Sequence, residues 1–231
     1  MRKTILLCSV LAVSAAMLCL ARPIRGNSAA SEVSYCLDPE PPNTDYLQVI
    51  TTVYDALATR QDTGVVVNPA EGFGAGSRLV IDITVDGDWD PSAVNPAQPY
   101  YVFACVRGYG YEWARLHQEE NLSPGRHTIV WTTGQSKVYI DGVPSVRDYA
   151  FYFELNPSGT LKIGNSIGNA GKSISGTVFD GLWHSVRLYD ATGVLRHWWM
   201  PNESGLWFDE ITSVFATRAH GYWTYGDLAN E

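Results

Sequence analysis

The sequence predicts an all-β protein built as an antiparallel β-sandwich. Short apolar runs recur along the chain, turn residues separate them, and helical periodicity is scarce. Residues 78–86 show the pattern most clearly, because Leu79, Ile81 and Ile83 alternate with polar residues as in a half-buried strand. Turns at intervals of about 8 to 12 residues are typical of two packed sheets. We therefore expect one sandwich without an internal repeat.

The remaining strands are predicted by the same criterion, apolar runs that are separated by turn residues. Asp141-Gly142 and residues 190–193 offer the positive φ angles and side-chain hydrogen bonds that hairpin turns need. Residues 47–59 carry the one helical tendency, but their β-branched residues and missing cap predict no more than a short turn. The predicted strands are 100–107, 111–117, 127–132, 137–141, 150–155, 160–163, 182–189 and 194–200, with short segments near Trp207 and Tyr222.

Residues 1–30 have the order of a secretory signal peptide. Arg2 and Lys3 precede a long apolar run, and small residues ending at Ala30 follow it. An uncleaved membrane anchor is the alternative, since the run is close to the length that spans a bilayer. We expect cleavage, a mature domain of residues 31–231 without a membrane span, and a secreted, periplasmic or cell-surface location.

Charge and cysteine content narrow the partners and the chemistry. The net charge is −8, and removal of the four basic residues of the signal lowers it by four units to −12. Nucleic-acid binding is therefore not expected, because it needs clustered Lys and Arg. Only Cys36 and Cys105 remain in the mature chain. One hypothesis is that the two cysteines form a disulfide. The other is that Cys105 is a buried free thiol, and the sequence favours neither.

The succession of segments resembles a known superfamily. Residues 126–131, 137–142 and 161–164, and then the closing segments between 181 and 226, resemble the concanavalin A-like, laminin G-like jelly-roll domains of exported bacterial proteins. Residues 45–47 and 62–64 resemble the first hairpin of that group. The resemblance covers residues 46–226 and implies a jelly roll of two curved sheets. The superfamily includes lectins, adhesion domains and glycoside hydrolases.

Motifs for catalysis are missing from the sequence. A retaining glycosidase needs two carboxylates about 5 to 5.5 Å apart, whereas Asp82 and Asp86 would lie about 13 Å apart along a regular strand. The adjacent acids at 119–120 and 209–210 are expected to be loop or surface charges. No nucleophile elbow is present, and His184 is expected to be a satisfied core residue. We therefore expect a protein that is not an enzyme.

An acidic loop is the best candidate for a metal site. Asp86, Asp88 and Asp90 alternate around Gly87 and Trp89, and carboxylate oxygens are ligands that Ca²⁺ prefers. The complete twelve-residue calcium loop is absent, because Pro91 and Ala97 occupy the positions of its Gly and Glu. Calcium binding is thus one hypothesis, and an ordinary solvated turn is the other.

Aromatic residues are the best candidates for a ligand site. Sugar rings stack on aromatic faces, although packing in the core is the commoner role for a large aromatic residue. We expect the strongest candidates near the acidic loop and near the glycines at 108–110, provided that the two regions share one end of the sandwich. The predicted ligand-binding residues are Trp89, Tyr109, Tyr111, Trp113, Trp207 and Trp223.

The function predicted from the sequence is that of an exported, non-catalytic binding module. A glycan is the expected partner, so that the protein would act like a lectin. A structural or adhesion module that contacts a cell-surface protein is the second hypothesis, and a glycoside hydrolase with displaced carboxylates is the third.

Overall fold

Two β-sheets form most of the structure. The computed structural model describes residues 44–50, 59–107, 111–149, 159–165 and 176–228, all within a unit that spans Asp38–Glu231. The described strands are β1 (Asp45–Ile50), β2 (Arg60–Val66), β3 (Arg78–Val85), β4 (Tyr100–Arg107), β5 (Tyr111–His117), β6 (Gly125–Thr132), β7 (Tyr139–Ile140), β8 (Val143–Pro144), β9 (Thr160–Gly164), β10 (Thr177–Val178), β11 (Leu182–Tyr189), β12 (Leu195–Asn202), β13 (Leu206–Asp209), β14 (Val214–Phe215), β15 (Thr217–His220) and β16 (Tyr222–Asp227).

The larger sheet has ten described strands. Eight of them lie in the order β14, β13, β12, β11, β3, β6, β7, β8, and β1 pairs with both β11 and β16. The centre of this sheet is an antiparallel set in which β3 pairs with β6 on one side and with β11 on the other. Strands that are more than 90 residues apart in sequence therefore become direct neighbours.

The smaller sheet has six described strands. Its order is β10, β4, β9, β2, β15, and β5 also pairs with β4. All of its pairs are antiparallel except that of β10 with β4. The two sheets pack as a sandwich, which confirms the predicted all-β class.

Most of the predicted strands agree with the structure within two or three residues. The Asp141-Gly142 turn joins β7 to β8 with φ angles of 51° and 78°, as a two-residue hairpin requires. The predicted first hairpin is wrong, because β1 lies in the larger sheet and β2 in the smaller one. The signal peptide, Cys36 and the predicted strand at 150–155 lie outside the described residues.

An aromatic cluster fills the space between the sheets. Trp183 lies at its centre, with its ring centroid 5.4 Å from that of Phe103, 5.9 Å from Phe179 and 5.2 Å from Trp223. Its indole N–H donates to the Phe179 carbonyl at 3.0 Å. Phe103 faces the core from the smaller sheet, and Trp183 and Trp223 face it from the larger one. The large buried area of these rings makes the cluster a major source of stability.

A charged pair lies on the opposite face of the larger sheet. Leu79 and Ile81 of β3 point into the core, so Asp82 points the other way. Its carboxylate accepts from Arg187 Nη2 at 2.9 Å, from Ser185 Oγ at 2.8 Å and from Thr128 Oγ1 at 2.6 Å. Asp82 is thereby fully engaged within the sheet, and none of its partners belongs to the acidic loop.

His184 is buried with both ring nitrogens hydrogen-bonded, as predicted, although it lies outside the core between the sheets. Its Nε2 accepts from the Thr84 hydroxyl at 2.8 Å, and its Nδ1 lies 3.0 Å from the Asp45 carbonyl, to which it donates. The side chain is buried. Burial lowers the pKa of His184 from its ordinary value, because the charged imidazolium is poorly solvated there.

The lowered pKa of His184 makes stability depend on pH. An unfolded histidine binds a proton near pH 6.5, whereas the folded one resists it, so stability is complete above about pH 6.5 and falls as the pH falls below it. We expect the melting temperature to decrease from pH 7.5 to pH 5.5, and to decrease less in His184→Gln. Part of the slope will persist, since burial also lowers the pKa of His117. An unchanged slope in the variant would contradict this assignment.

Helices are few and short in the described part of the chain. Three 3-10 turns lie at Pro69–Glu71, Pro91–Ala93 and Gln118–Glu120. No helix among the described residues is long and apolar enough to cross a membrane.

Candidate functional site

The structure places three of the predicted ligand-binding tryptophans in the core. Trp89 is 8% exposed, Trp207 0% and Trp223 3%. The Trp89 ring packs on Tyr101 at a centroid distance of 4.7 Å, and Trp207 and Trp223 lie 6.0 Å apart beside the central aromatic cluster. A sugar needs an accessible ring face, so in this conformation these three residues serve packing, the alternative that the sequence left open.

Only one half of the predicted loop site lies within the described residues. Trp89 lies beside Tyr101, and its indole N–H points to the carbonyl of His117, at one end of the β4–β5 pair. Residues 108–110, including Tyr109, lie outside the described residues, and β4 ends at Arg107, at its other end. About six residues of β4 separate the two ends, which is roughly 20 Å.

The other two predicted aromatic residues belong to β5. Trp113 is partly buried and pairs with Cys105 across the β4–β5 ladder. Tyr111 is the first residue of β5, and its side chain lies outside the described part of the structure. Cys105 is buried, and its bridge to Cys36 stays a prediction.

The carboxylates of the acidic loop are exposed, and one of them, that of Asp90, stabilises the adjacent turn. The Asp90 carboxylate accepts hydrogen bonds from the Ser92 backbone N–H at 3.0 Å and from the Ser92 hydroxyl. Asp90 thereby caps the 3-10 turn at Pro91–Ala93. Asp86 and Asp88 are exposed. Within the described ranges, no three His, Cys, Asp or Glu residues are grouped closely enough to hold a metal ion. The calcium hypothesis stays a prediction.

An exposed aromatic residue lies instead where the chain passes from one sheet to the other. Arg218, Ala219, His220, Gly221 and Tyr222 line an open cleft of about 370 Å³. We call these five residues the corner patch. The Tyr222 side chain is 61% exposed, and the guanidinium carbon of Arg218 lies 5.1 Å from its ring centroid. An accessible ring beside a cationic hydrogen-bond donor is thus available here.

Gly221 allows the sharp passage between the sheets. It follows β15, which pairs with β2 of the smaller sheet, and precedes β16, which pairs with β1 of the larger sheet. Its φ angle is 72°, in the left-handed region that favours glycine. A Cβ atom at this position would lie 2.3 Å from the Thr59 hydroxyl. The corner therefore needs glycine for both conformation and space.

A buried glutamine supports the corner patch from behind. The Gln61 side chain donates to the Gly205 carbonyl at 2.8 Å and accepts from the Trp207 backbone N–H at 2.9 Å. The α-carbon of Gly205 in turn packs against the Trp223 carbonyl, where a Cβ would lie at 2.4 Å. These contacts fix the turn at Gly205 against β16, so the neighbourhood of Tyr222 is held in place before any ligand binds.

A second cleft lies between β2 and β12. It has a volume of about 520 Å³, and its lining includes Glu71, Phe73, Arg196 and His197. Its aromatic residues have no open faces, because Phe73 is buried and His197 stacks on Trp199 at 5.1 Å with ring planes 11° apart. This cleft can offer hydrogen bonds to a polar ligand, but it lacks an exposed ring.

Buried carboxylates orient the polar side chains of this second cleft. Asp209 binds His197 Nδ1 at 2.7 Å, and Asp190 binds Arg196 through Nε at 2.7 Å and Nη2 at 2.6 Å. Burial acts to raise the pKa of Asp209, but hydrogen bonds from Thr212, His197 and two backbone N–H groups outweigh it and the pKa is lowered. Hydrogen bonds led by Thr192 lower the pKa of Asp190. Both acids therefore stay ionised and hold their partners.

Sequence reasoning missed two groups of polar residues. Asp209 and Glu120 were expected to be loop or surface charges. Asp209 is instead buried, and Glu120 accepts from the Tyr149 hydroxyl at 2.5 Å and from the Val146 backbone N–H at 2.9 Å. Arg218 was not singled out at all. The clustering of Arg218, His220 and Tyr222 around a glycine was the one available signal, and such a cluster is common in ordinary turns.

Comparison with protein-family models, with curated proteins and with solved structures finds no match to this chain.

Proposed function

We propose that this protein is an exported, non-catalytic carbohydrate-binding module whose site is the corner patch. The observation that carries the proposal is the 61% exposed ring of Tyr222 beside the Arg218 guanidinium, in an open cleft. Pyranose rings present C–H groups that stack on aromatic faces, while neighbouring polar groups bind the hydroxyls. The signal-like residues 1–30 support export.

Two features support a binding role over hydrolysis. Of the carboxylates considered for hydrolysis, Asp82 binds Arg187 and two hydroxyl groups, which suits a structural role. The side chains at the corner patch are a tyrosine, an arginine and a histidine, whereas a retaining or inverting glycosidase uses two carboxyl groups.

Tyr222→Ala tests the proposal directly. With a glycan identified on an array by competition with free sugar, we expect this variant to bind about fivefold more weakly, since the loss of one stacking contact costs about 1 kcal/mol. Phe215→Ala is the matched control, because it removes another exposed aromatic ring and should leave affinity unchanged. Equal affinity of Tyr222→Ala and the natural protein, at equal melting temperature, would exclude the corner patch as the site.

An exposed apolar hairpin favours a second candidate function, adhesion to a cell-surface protein. Ile211, Val214 and Phe215 are exposed on the turn and strand that follow β13, and Phe215 packs on Phe208 at 4.8 Å. The Asp209 carboxylate holds this turn by accepting from the Ile211 N–H and the Thr212 hydroxyl. If adhesion is the function, Phe215→Ala will weaken binding of the protein to cells and Tyr222→Ala will not.

A further inference from the structure

Arg218 differs from most of the charged residues that the structure describes in what its side chain contacts. In the described ranges, the Arg218 side chain forms no hydrogen bond and no ion pair, and its one close partner is the exposed Tyr222 ring. The chain has 24 acidic and 16 basic residues, so carboxylates are abundant. The hydrogen-bonding edges of Arg218 are nevertheless left for a group from outside.

The surroundings of Arg218 keep this guanidinium available. The strand that carries it, β15, pairs with β2, where Asp62 is already bound to Lys162. One Arg218 nitrogen lies 4.0 Å from the Cβ position of Gly205, whose carbonyl is occupied by Gln61. Asp62 of β2 and the Gly205 carbonyl therefore both have other partners.

A guanidinium and an accessible aromatic ring together recognise a particular kind of sugar. Guanidinium groups bind carboxylates through two parallel hydrogen bonds, and Lys cannot reproduce this planar geometry. The Tyr222 ring offers its face to the pyranose. We infer that the corner patch selects a sugar that carries a carboxylate, such as a hexuronic acid. This inference rests on the proposed carbohydrate-binding function.

The charge of the whole protein limits the inference to isolated acidic sugars. A net charge of −8 repels long polyanions, and this repulsion grows at low ionic strength. One carboxylate that contacts Arg218 can form a strong hydrogen-bonded ion pair with it. Each further carboxylate along a polymer is repelled by the acidic surface of the protein. The ligand is therefore a single acidic unit at a chain end or branch of a neutral glycan.

Glycans in matched pairs provide the test. Each pair differs only in a terminal glucose against glucuronate, or galactose against galacturonate, and affinities are measured by titration of the natural protein and of variants. We expect the acidic member to bind about tenfold more tightly, as for a charge-assisted pair. Arg218→Gln should remove this preference, and Arg218→Lys should retain only a small part of it. Tyr222→Ala should weaken the binding of both members.

Arg115→Gln is the matched control for Arg218→Gln. The Arg115 guanidinium also lies over a tyrosine, 4.3 Å from the Tyr100 centroid, but that ring is partly buried. The control should keep the full preference for the acidic sugar. Equal binding of both members of every pair would overturn the inference and leave the proposed function standing. Tighter binding of polyuronate than of the single acidic unit would overturn the restriction to isolated units. Binding to no glycan would overturn the proposed function itself.

Discussion

Replacing Arg187 with methionine will destabilise the protein by about 3–5 kcal/mol, the usual cost of removing one partner of a buried ion pair. The side chains of Arg187 and Asp82 are only 6% and 9% exposed, and their N–O distance is 2.9 Å. In the variant, Asp82 keeps its hydrogen bonds from Ser185 and Thr128 but loses its counter-charge. Urea denaturation monitored by tryptophan fluorescence measures the change.

Two further variants separate the charge effect from packing. Lys137→Met removes a partner of the exposed pair with Asp148, whose side chains are 38% and 70% exposed, and should cost less than about 1 kcal/mol. The double variant Asp82→Leu with Arg187→Met removes both charges, so it should recover part of the lost stability. A double variant as unstable as Arg187→Met would show that packing, and not the uncompensated charge, determines the loss.

Gly221→Ala will cost about 2–5 kcal/mol and will also disturb the corner patch. The left-handed φ of 72° costs a non-glycine residue about 1–2 kcal/mol. The added methyl group would meet Thr59 Oγ1 at 2.3 Å and its Cγ2 at 2.8 Å, and relief of such overpacking costs about 1–3 kcal/mol more. Because the backbone must shift at the residue before Tyr222, we also expect glycan affinity to fall.

Gly142→Ala is the matched control for this prediction. Gly142 has a nearly equal φ of 78°, but a Cβ there meets no atom within 4 Å. The control should show only the conformational cost of about 1–2 kcal/mol and no change in glycan binding. Equal destabilisation of the two variants in thermal melts would mean that the contact with Thr59 contributes nothing.

Local features of the fold were predictable from the sequence because they depend on neighbouring residues. Alternation in residues 78–86 predicted β3, and Asp141-Gly142 predicted its hairpin turn. Alternation also places the adjacent Trp198 and Trp199 on opposite faces of β12, where Trp199 is buried and Trp198 is partly exposed. These predictions needed only the two-residue period of a strand and the conformational preferences of turn residues.

The candidate site could be predicted only in part. The sequence marked the closing aromatic segment as a possible ligand region, but it favoured Trp223, which is 3% exposed, over Tyr222, which is 61% exposed. Alternation guarantees that one of the two faces the core, yet it does not say which one. The pairing of β16 with β1 decides this, because the register Val49↔Trp223 and Ile50↔Tyr222 turns the tryptophan inward.

The sequence by itself determined the all-β class, the positions of most strands and turns, and the acidic charge. Only the tertiary structure decided which strands share a sheet, that Trp89 is covered by Tyr101 and Phe179, and that Asp209 is buried. Periodicity assigns a side chain to a face, whereas its burial depends on packing against residues that are distant in sequence. Arg218 and Tyr222 became a candidate site for the same reason, since their exposure depends on where Gly221 turns the chain between the two sheets.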